Sequence, residues 1–212
     1  VLVRVAPLNR PVQAMRLTAA EPNAEIVAKP DRRQVAWTYF VIGVEHIVFG
    51  YDHLLFVVAL VLLLSGIRTI ALAITSFTVA HSLTLVGTTL GFLGLPQKPV
   101  EAIIALSIVF LAVEIIKKKD GEPRLSERIP WVVAFAFGLL HGFGFAGALA
   151  EIGLPESEVP MALLTFNIGV EAGQLLIVAA TMLLLLALRR WRPHWARPTI
   201  QLSTYAIGSI AA

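Results

Sequence analysis

His46-Ile-Val-Phe-Gly-Tyr-Asp-His53 is the stretch whose reading decides the fold. It lies in a long apolar segment, Trp37 to Gly66, with Glu45, His46, Asp52 and His53 in the first half and no charge from Leu54 to Leu64. About 20 consecutive apolar residues are enough to cross a bilayer core. An ionisable side chain in such a span is costly, so four close together point to a site facing the protein interior or a wet cavity. Read as one continuous helix, the segment puts His46 and His53 on nearly the same face, about two turns or roughly 10 Å apart. Asp52 then points about 100° away from His53, where it either binds alongside that ring or orients it. A surface segment lying among lipid headgroups is the plainer reading, chiefly for Glu45 and His46.

The rest of the chain is of the same kind. Of its 212 residues 57% are hydrophobic and only 15% charged, against about 25% charged in ordinary soluble domains, and the mean hydropathy is +0.79. The class is all-α: a polytopic integral membrane helix bundle. Six spans are expected at 37–65, 69–93, 99–117, 131–153, 159–188 and 199–212. Lys117, Lys118, Lys119, Arg124 and Arg128 fill the third connection, and Arg189, Arg190, Arg192 and Arg197 follow the fifth span. Arg68 is in the first connection, Lys98 alone is in the second, and the fourth, around Glu151, Glu156 and Glu158, has no Lys or Arg. Basic odd-numbered connections orient the chain in a bacterial inner membrane with its N-terminus outside. They also account for the basic pI near 9.5 without nucleic acid. Trp37, Trp131, Trp191 and Trp195 fall near the expected boundaries, as interfacial anchors do. Residues 1–36, with short β-like runs broken by Pro7, Pro11, Pro22 and Pro30, read as an extramembrane segment distinct from the bundle at 37–212. The chain begins at Val1 without methionine and stops inside an apolar run, so further residues are expected at both ends.

Four of the five histidines fall in spans. Thr78, His81 and Ser82 share a helical face in span two, beside Thr75 and Thr84. Span four carries His141 among Gly138, Gly142, Gly144 and Gly147, and these glycines let neighbouring helices approach closely. Span five carries Asn167, Glu171 and Gln174 on one face. Counted inward from the span ends, His53, His81, His141 and Glu171 lie at comparable depth near mid-membrane. Singly, each reads as helix–helix glue; together, imidazoles and carboxylates from four spans suit a divalent metal, a proton path, or both. Imidazole with carboxylate fits nickel, cobalt, zinc or iron. With no cysteine there is neither a disulfide nor a thiolate ligand, and only three methionines argue against copper(I). Spacing alone names no metal.

Several motifs together resemble one family. Gly43-x-x-His46-Ile-x-x-Gly-x-Asp52-His53-Leu-Leu-Phe56 is followed by Thr75-x-Phe-Thr-x-Ala-His81-Ser-x-Thr-Leu. Further on come Val100-Glu101 with Ile104-Ala-x-Ser107-Ile, Phe137-Gly-Leu-Leu-His141-Gly-x-Gly-Phe-Ala146, and Phe166-Asn-x-Gly-Val-Glu171-x-Gly-Gln174. Across residues 40–212 this pattern resembles the HupE/UreJ family, in its second branch with a longer N-terminus, and residues 1–36 resemble the tail of that branch's extracytoplasmic region. The resemblance implies a membrane protein with hydrogenase or urease accessory roles, similar to nickel permeases. The family's motif of His, five residues and Asp-His is matched by His46, Asp52 and His53. Ile47 departs from the proline that usually follows the first His in the first branch.

The expectation is therefore a bundle that binds a divalent transition metal, nickel first and zinc, cobalt or iron next, and passes it inward. His53, His81 and His141 are the expected direct ligands, with Asp52 and Glu171 as carboxylate ligands or supports. His46 and Glu101 form an outer capture point, and Ser82, Asn167 and Gln174 back the ligands with hydrogen bonds. Partners are the metal ion, membrane lipid and other membrane subunits. Without a Walker-type glycine loop, direct use of ATP is not expected. Two rivals are an intramembrane zinc hydrolase, with Asp52 or Glu171 as general base, and an accessory subunit of a larger complex. Three histidines with a carboxylate match the ligand count of a catalytic zinc site with an open water position.

Overall fold

The computed structural model describes residues 2–5, 13–17, 31–118, 122–152 and 158–211. Near the start, β1 (Leu2–Val5) pairs antiparallel with β2 (Gln13–Arg16). The helices are α1 (Arg32–Phe49), α2 (Tyr51–Leu63), α3 (Ile67–Thr89), α4 (Gln97–Ile116), the single turn α5 (Leu125–Arg128), α6 (Pro130–Ile152), α7 (Val159–Trp191) and α8 (Pro193–Ala211). The expected β-like run Val1–Val5 coincides with β1, the other, Glu25–Ala28, lies outside the described residues, and the first helix starts at Arg32, where the Asp31 side chain accepts from Arg33 N and caps it.

The first expected span is not one helix. α1 and α2 meet at Gly50 with a bend of 70°. Gly50 takes an extended backbone (φ −77, ψ 105), which any residue can adopt, so space and not φ requires glycine here. A Cβ would run into the His46 carbonyl and come within 3.1 Å of His53 Nδ1. The break keeps its backbone bonds: Gly50 N donates to His46 O at 3.0 Å, and Leu54 N donates to Gly50 O at 2.9 Å.

By length and apolar composition, α3, α4 and α7 can each cross a membrane, and the bent α1–α2 pair makes a fourth crossing if taken as one span. Among the described residues, three or four of the six expected spans thus meet this criterion. α6 is an apolar helix of 23 residues that runs to Ile152, and α8 is amphipathic with Pro198 inside it. All four tryptophans are exposed. Lys119, Glu156 and the surroundings of Gly147 lie outside the described residues.

Two helix pairs organise the bundle, both joined through glycine. Gly43 of α1 lies against Phe166 O and Val170 N of α7, while Gly169 of α7 lies against Phe40 O and Val44 N of α1. Gly173, one turn on in α7, meets Ile47 and Val44 O, one turn on in α1, so the two helices run parallel. Arg32 and Glu158 tie their N-terminal ends, with Arg32 Nε 3.1 Å from each carboxylate oxygen. Likewise Gly138 and Gly142 of α6 lie against Phe77 O and His81 O of α3, and Ser76 Oγ donates to Trp131 O at 2.8 Å. Small residues four apart let backbones touch, which is how helices associate where lipid supplies no hydrophobic drive.

At the opposite end from Arg32, the turn α5 folds onto α4. Buried Glu114 accepts from Arg124 Nη2 at 2.8 Å and from Ser126 N at 3.0 Å. Lys118 donates to Leu63 O, the last carbonyl of α2, at 2.8 Å and pairs with Glu127 at 2.6 Å. Partial burial pushes the Glu127 carboxyl up, but the Lys118 hydrogen bond, the Arg124 backbone N–H and the charges of both outweigh it and hold it below its ordinary value.

Candidate metal centre

The site lies where the two glycine-joined pairs meet. The bend at Gly50 turns the His53 ring back toward His46, so the ring centroids are 4.4 Å apart instead of the roughly 10 Å of a straight helix. The His81 ring is 6.0 Å from that of His46 and 6.1 Å from that of His53. One nitrogen from each of His46, His53 and His81 falls within 4.8 Å of the other two. His141 joins from α6, with Nδ1 3.3 Å from His53 Nε2. Four imidazoles from α1, α2, α3 and α6 thus form one cluster.

His46 is a member of this cluster, not a separate outer point. A straight helix through residue 50 hides this, and only Gly50 within the quoted stretch hinted at a break.

Aromatic rings enclose the cluster. Phe145 lies over His46 at 3.8 Å and stacks on Phe166 at 4.9 Å with planes 5° apart. Phe77 and Phe56 stand 5.1 and 5.4 Å from the His141 ring. All four phenylalanines lie within the motifs quoted above, which assign them no role.

The cluster carries unused donor capacity. His46 Nε2, His81 Nε2 and His141 Nε2 are buried and have no hydrogen-bond partner. Buried polar atoms are nearly always partnered, so three orphaned ring nitrogens in one cage suit an ion that would take their lone pairs.

The carboxylates lie elsewhere. Asp52 is exposed in the first turn of α2, because His53 faces the cage and the preceding residue must point about 100° away. It lines a cavity of about 350 Å³ with Tyr51, Glu101 and Ile210. Glu101 is exposed and accepts from Gln97 Nε2 at 2.9 Å. Glu171 is half-buried and accepts from Thr75 Oγ1 at 2.7 Å. Among the described residues, the group with metal-ligand spacing is imidazole alone.

The expected supports divide. Asn167 Oδ1 lies 3.2 Å from His81 Nδ1. Gln174 Oε1 accepts from Thr78 Oγ1 at 2.9 Å. Ser82 Oγ donates to Thr78 O of its own helix at 2.7 Å and reaches no cage ring. His194 is exposed beside Trp195, away from the cage.

No curated protein matches this chain, and no solved structure does. A family model does, over residues 22–212, and its description is HupE / UreJ protein.

Proposed function

Since the chain belongs to the HupE/UreJ family, we propose that it binds a divalent transition metal in the histidine cage and passes it across the membrane as a permease. The observation that carries this is the set of buried imidazole nitrogens within 4.8 Å, together with the orphaned Nε2 atoms of His46, His81 and His141. His46, His53 and His81 bind the ion directly, and His141 completes the set beside His53. Neutral imidazoles favour nickel, cobalt, zinc or copper over magnesium and calcium, which prefer oxygen. Nickel is the cargo the family points to.

Two further features support a cation at this position. α1 ends at the cage with His46 in its last turn, and a helix C-terminus carries partial negative charge. Broken helices at a midplane site are also a recurrent device of transporters. Asp52 and Glu101 line one cavity together and serve as the outer attraction for the ion. In this reading the chain lies in the bacterial inner membrane with its N-terminus outside. A hydrolase would need a carboxylate base beside the ion, and the cage offers none among the described residues.

The test is metal analysis of the purified full chain with single His→Ala variants. His46→Ala, His53→Ala and His81→Ala should each lose most bound nickel, while His194→Ala should keep it. Full occupancy in all three cage variants would refute the site. A cysteine placed at position 120 should label only after cells are permeabilised, and one at position 157 in intact cells. The reverse pattern would overturn the inward direction.

A further inference from the structure

The carboxamide of Asn167 has two chemically different ends: the oxygen only accepts and the nitrogen only donates. Its Nδ2 donates to Leu163 O, one turn back in α7, at 2.8 Å. A carbonyl cannot receive a bond from the oxygen end, so this contact fixes which end faces away from α7. The other end, Oδ1, sits 3.2 Å from His81 Nδ1. An oxygen without a proton can bond only to an N–H there, so Nδ1 is protonated, and in the neutral ring that metal binding requires this is the single proton. Nε2 is then a bare lone pair. That Nε2 is buried and has no hydrogen-bond partner, and its ring belongs to the set with metal-ligand spacing.

We infer that Asn167 is a positioning residue that locks His81 in the Nδ1–H tautomer and so presents the Nε2 lone pair to the ion. Its purpose rests on the metal-binding reading above; its geometry does not. The chain of contacts begins on the backbone of α7, so the tautomer is dictated by an element that also packs along α1. With an apolar side chain at position 167, the His81 proton is free to move to Nε2, where an N–H directed into the cage opposes a cation. The hydrogen bond on one ring nitrogen selects which nitrogen of a histidine binds a metal.

The experiment uses the full chain, labelled with ¹⁵N-histidine, metal-free in lipid nanodiscs, with His81 signals assigned by difference from His81→Gln. Wild type should show His81 protonated at Nδ1 and bare at Nε2. Asn167→Asp, which keeps an oxygen acceptor, should preserve that state. Asn167→Leu, of similar size, should give a mixture of tautomers. Titrated with nickel, Asn167→Leu should bind roughly 10–100-fold more weakly, and Asn167→Asp should stay within a few fold of wild type. A wild-type His81 protonated at Nε2 would overturn the inference, as would Asn167→Leu with unchanged tautomer and affinity. If Asn167→Leu does not fold, the wild-type and Asn167→Asp spectra decide: Nδ1–H in both upholds the inference, and Nε2–H in either overturns it. A wild type with the Nδ1–H form that binds no nickel, cobalt or zinc would uphold the positioning and sink the permease reading instead.

Discussion

Replacing Gly50 with alanine tests whether the helix break assembles the cage. The added methyl group would collide with the His46 carbonyl and stand 3.1 Å from His53 Nδ1. A backbone carbonyl cannot swing aside, so relief must come from reorienting α2 against α1. The His53 ring is about 5 Å from the pivot, taking a rise of 1.5 Å per residue, so a rotation of about 10° displaces it by roughly 1 Å. Metal–ligand distances tolerate only about 0.2 Å. His53 should therefore drop out of the site, and losing one of three direct imidazoles should cost at least about 100-fold in nickel affinity, or about 2.8 kcal/mol at 1.4 kcal/mol per decade. Calorimetric titration of the purified chain measures this, with thermal unfolding run in parallel to show that the variant is folded. Gly94→Ala is the control, since a Cβ there meets nothing within 4 Å. Wild-type affinity in a folded Gly50→Ala protein would refute the argument that the break builds the site.

Gly142→Ala should lower thermal stability by about 1–3 kcal/mol through overpacking, since its Cβ would strike His81 O and Thr84; an unchanged melting curve would speak against close α3–α6 contact. Asp52→Asn should slow nickel uptake at low metal concentration yet leave metal bound at saturation unchanged, as judged by uptake assay and metal analysis. A loss of stoichiometry would place Asp52 in the cage. Because the Glu127 carboxyl is held below its ordinary value, its stabilising contribution is full above that ordinary value and disappears as pH falls through the depressed one. Acid unfolding curves of Glu127→Gln should therefore lack this component, and identical curves would dismiss the Lys118 pairing as a source of stability.

Membrane class was legible because it depends on composition and on run length, both local properties. Proximity among the intramembrane histidines was legible for a similar reason: His53, His81 and His141 share a depth that can be counted from span ends. Neither requires knowing how helices are bent. What depended on a bend was hidden. Gly50 sits in a long hydrophobic segment, and glycine is tolerated within membrane helices, so nothing local separates a kinked span from a straight one. Assuming straightness put His46 two turns from His53 and hence at an outer station. Glu171 was hidden differently: depth places it beside the cage, but its contact with Thr75 depends on helix rotation about its axis.

The parallel pairing of α1 with α7 has a consequence for biosynthesis. Gly43 and Gly169 are separated by more than half of the chain, and synthesis proceeds at roughly 5–20 residues per second, so α1 leaves the ribosome about 6–25 s before its partner exists. During that interval its glycine face has no backbone to lie against. His46, His53 and His81 are already made, but the asparagine that orients one of them is not. A nascent chain halted before α7 thus holds the rings of the cage without the helix that sets them, so cargo cannot be captured properly until α7 has been made.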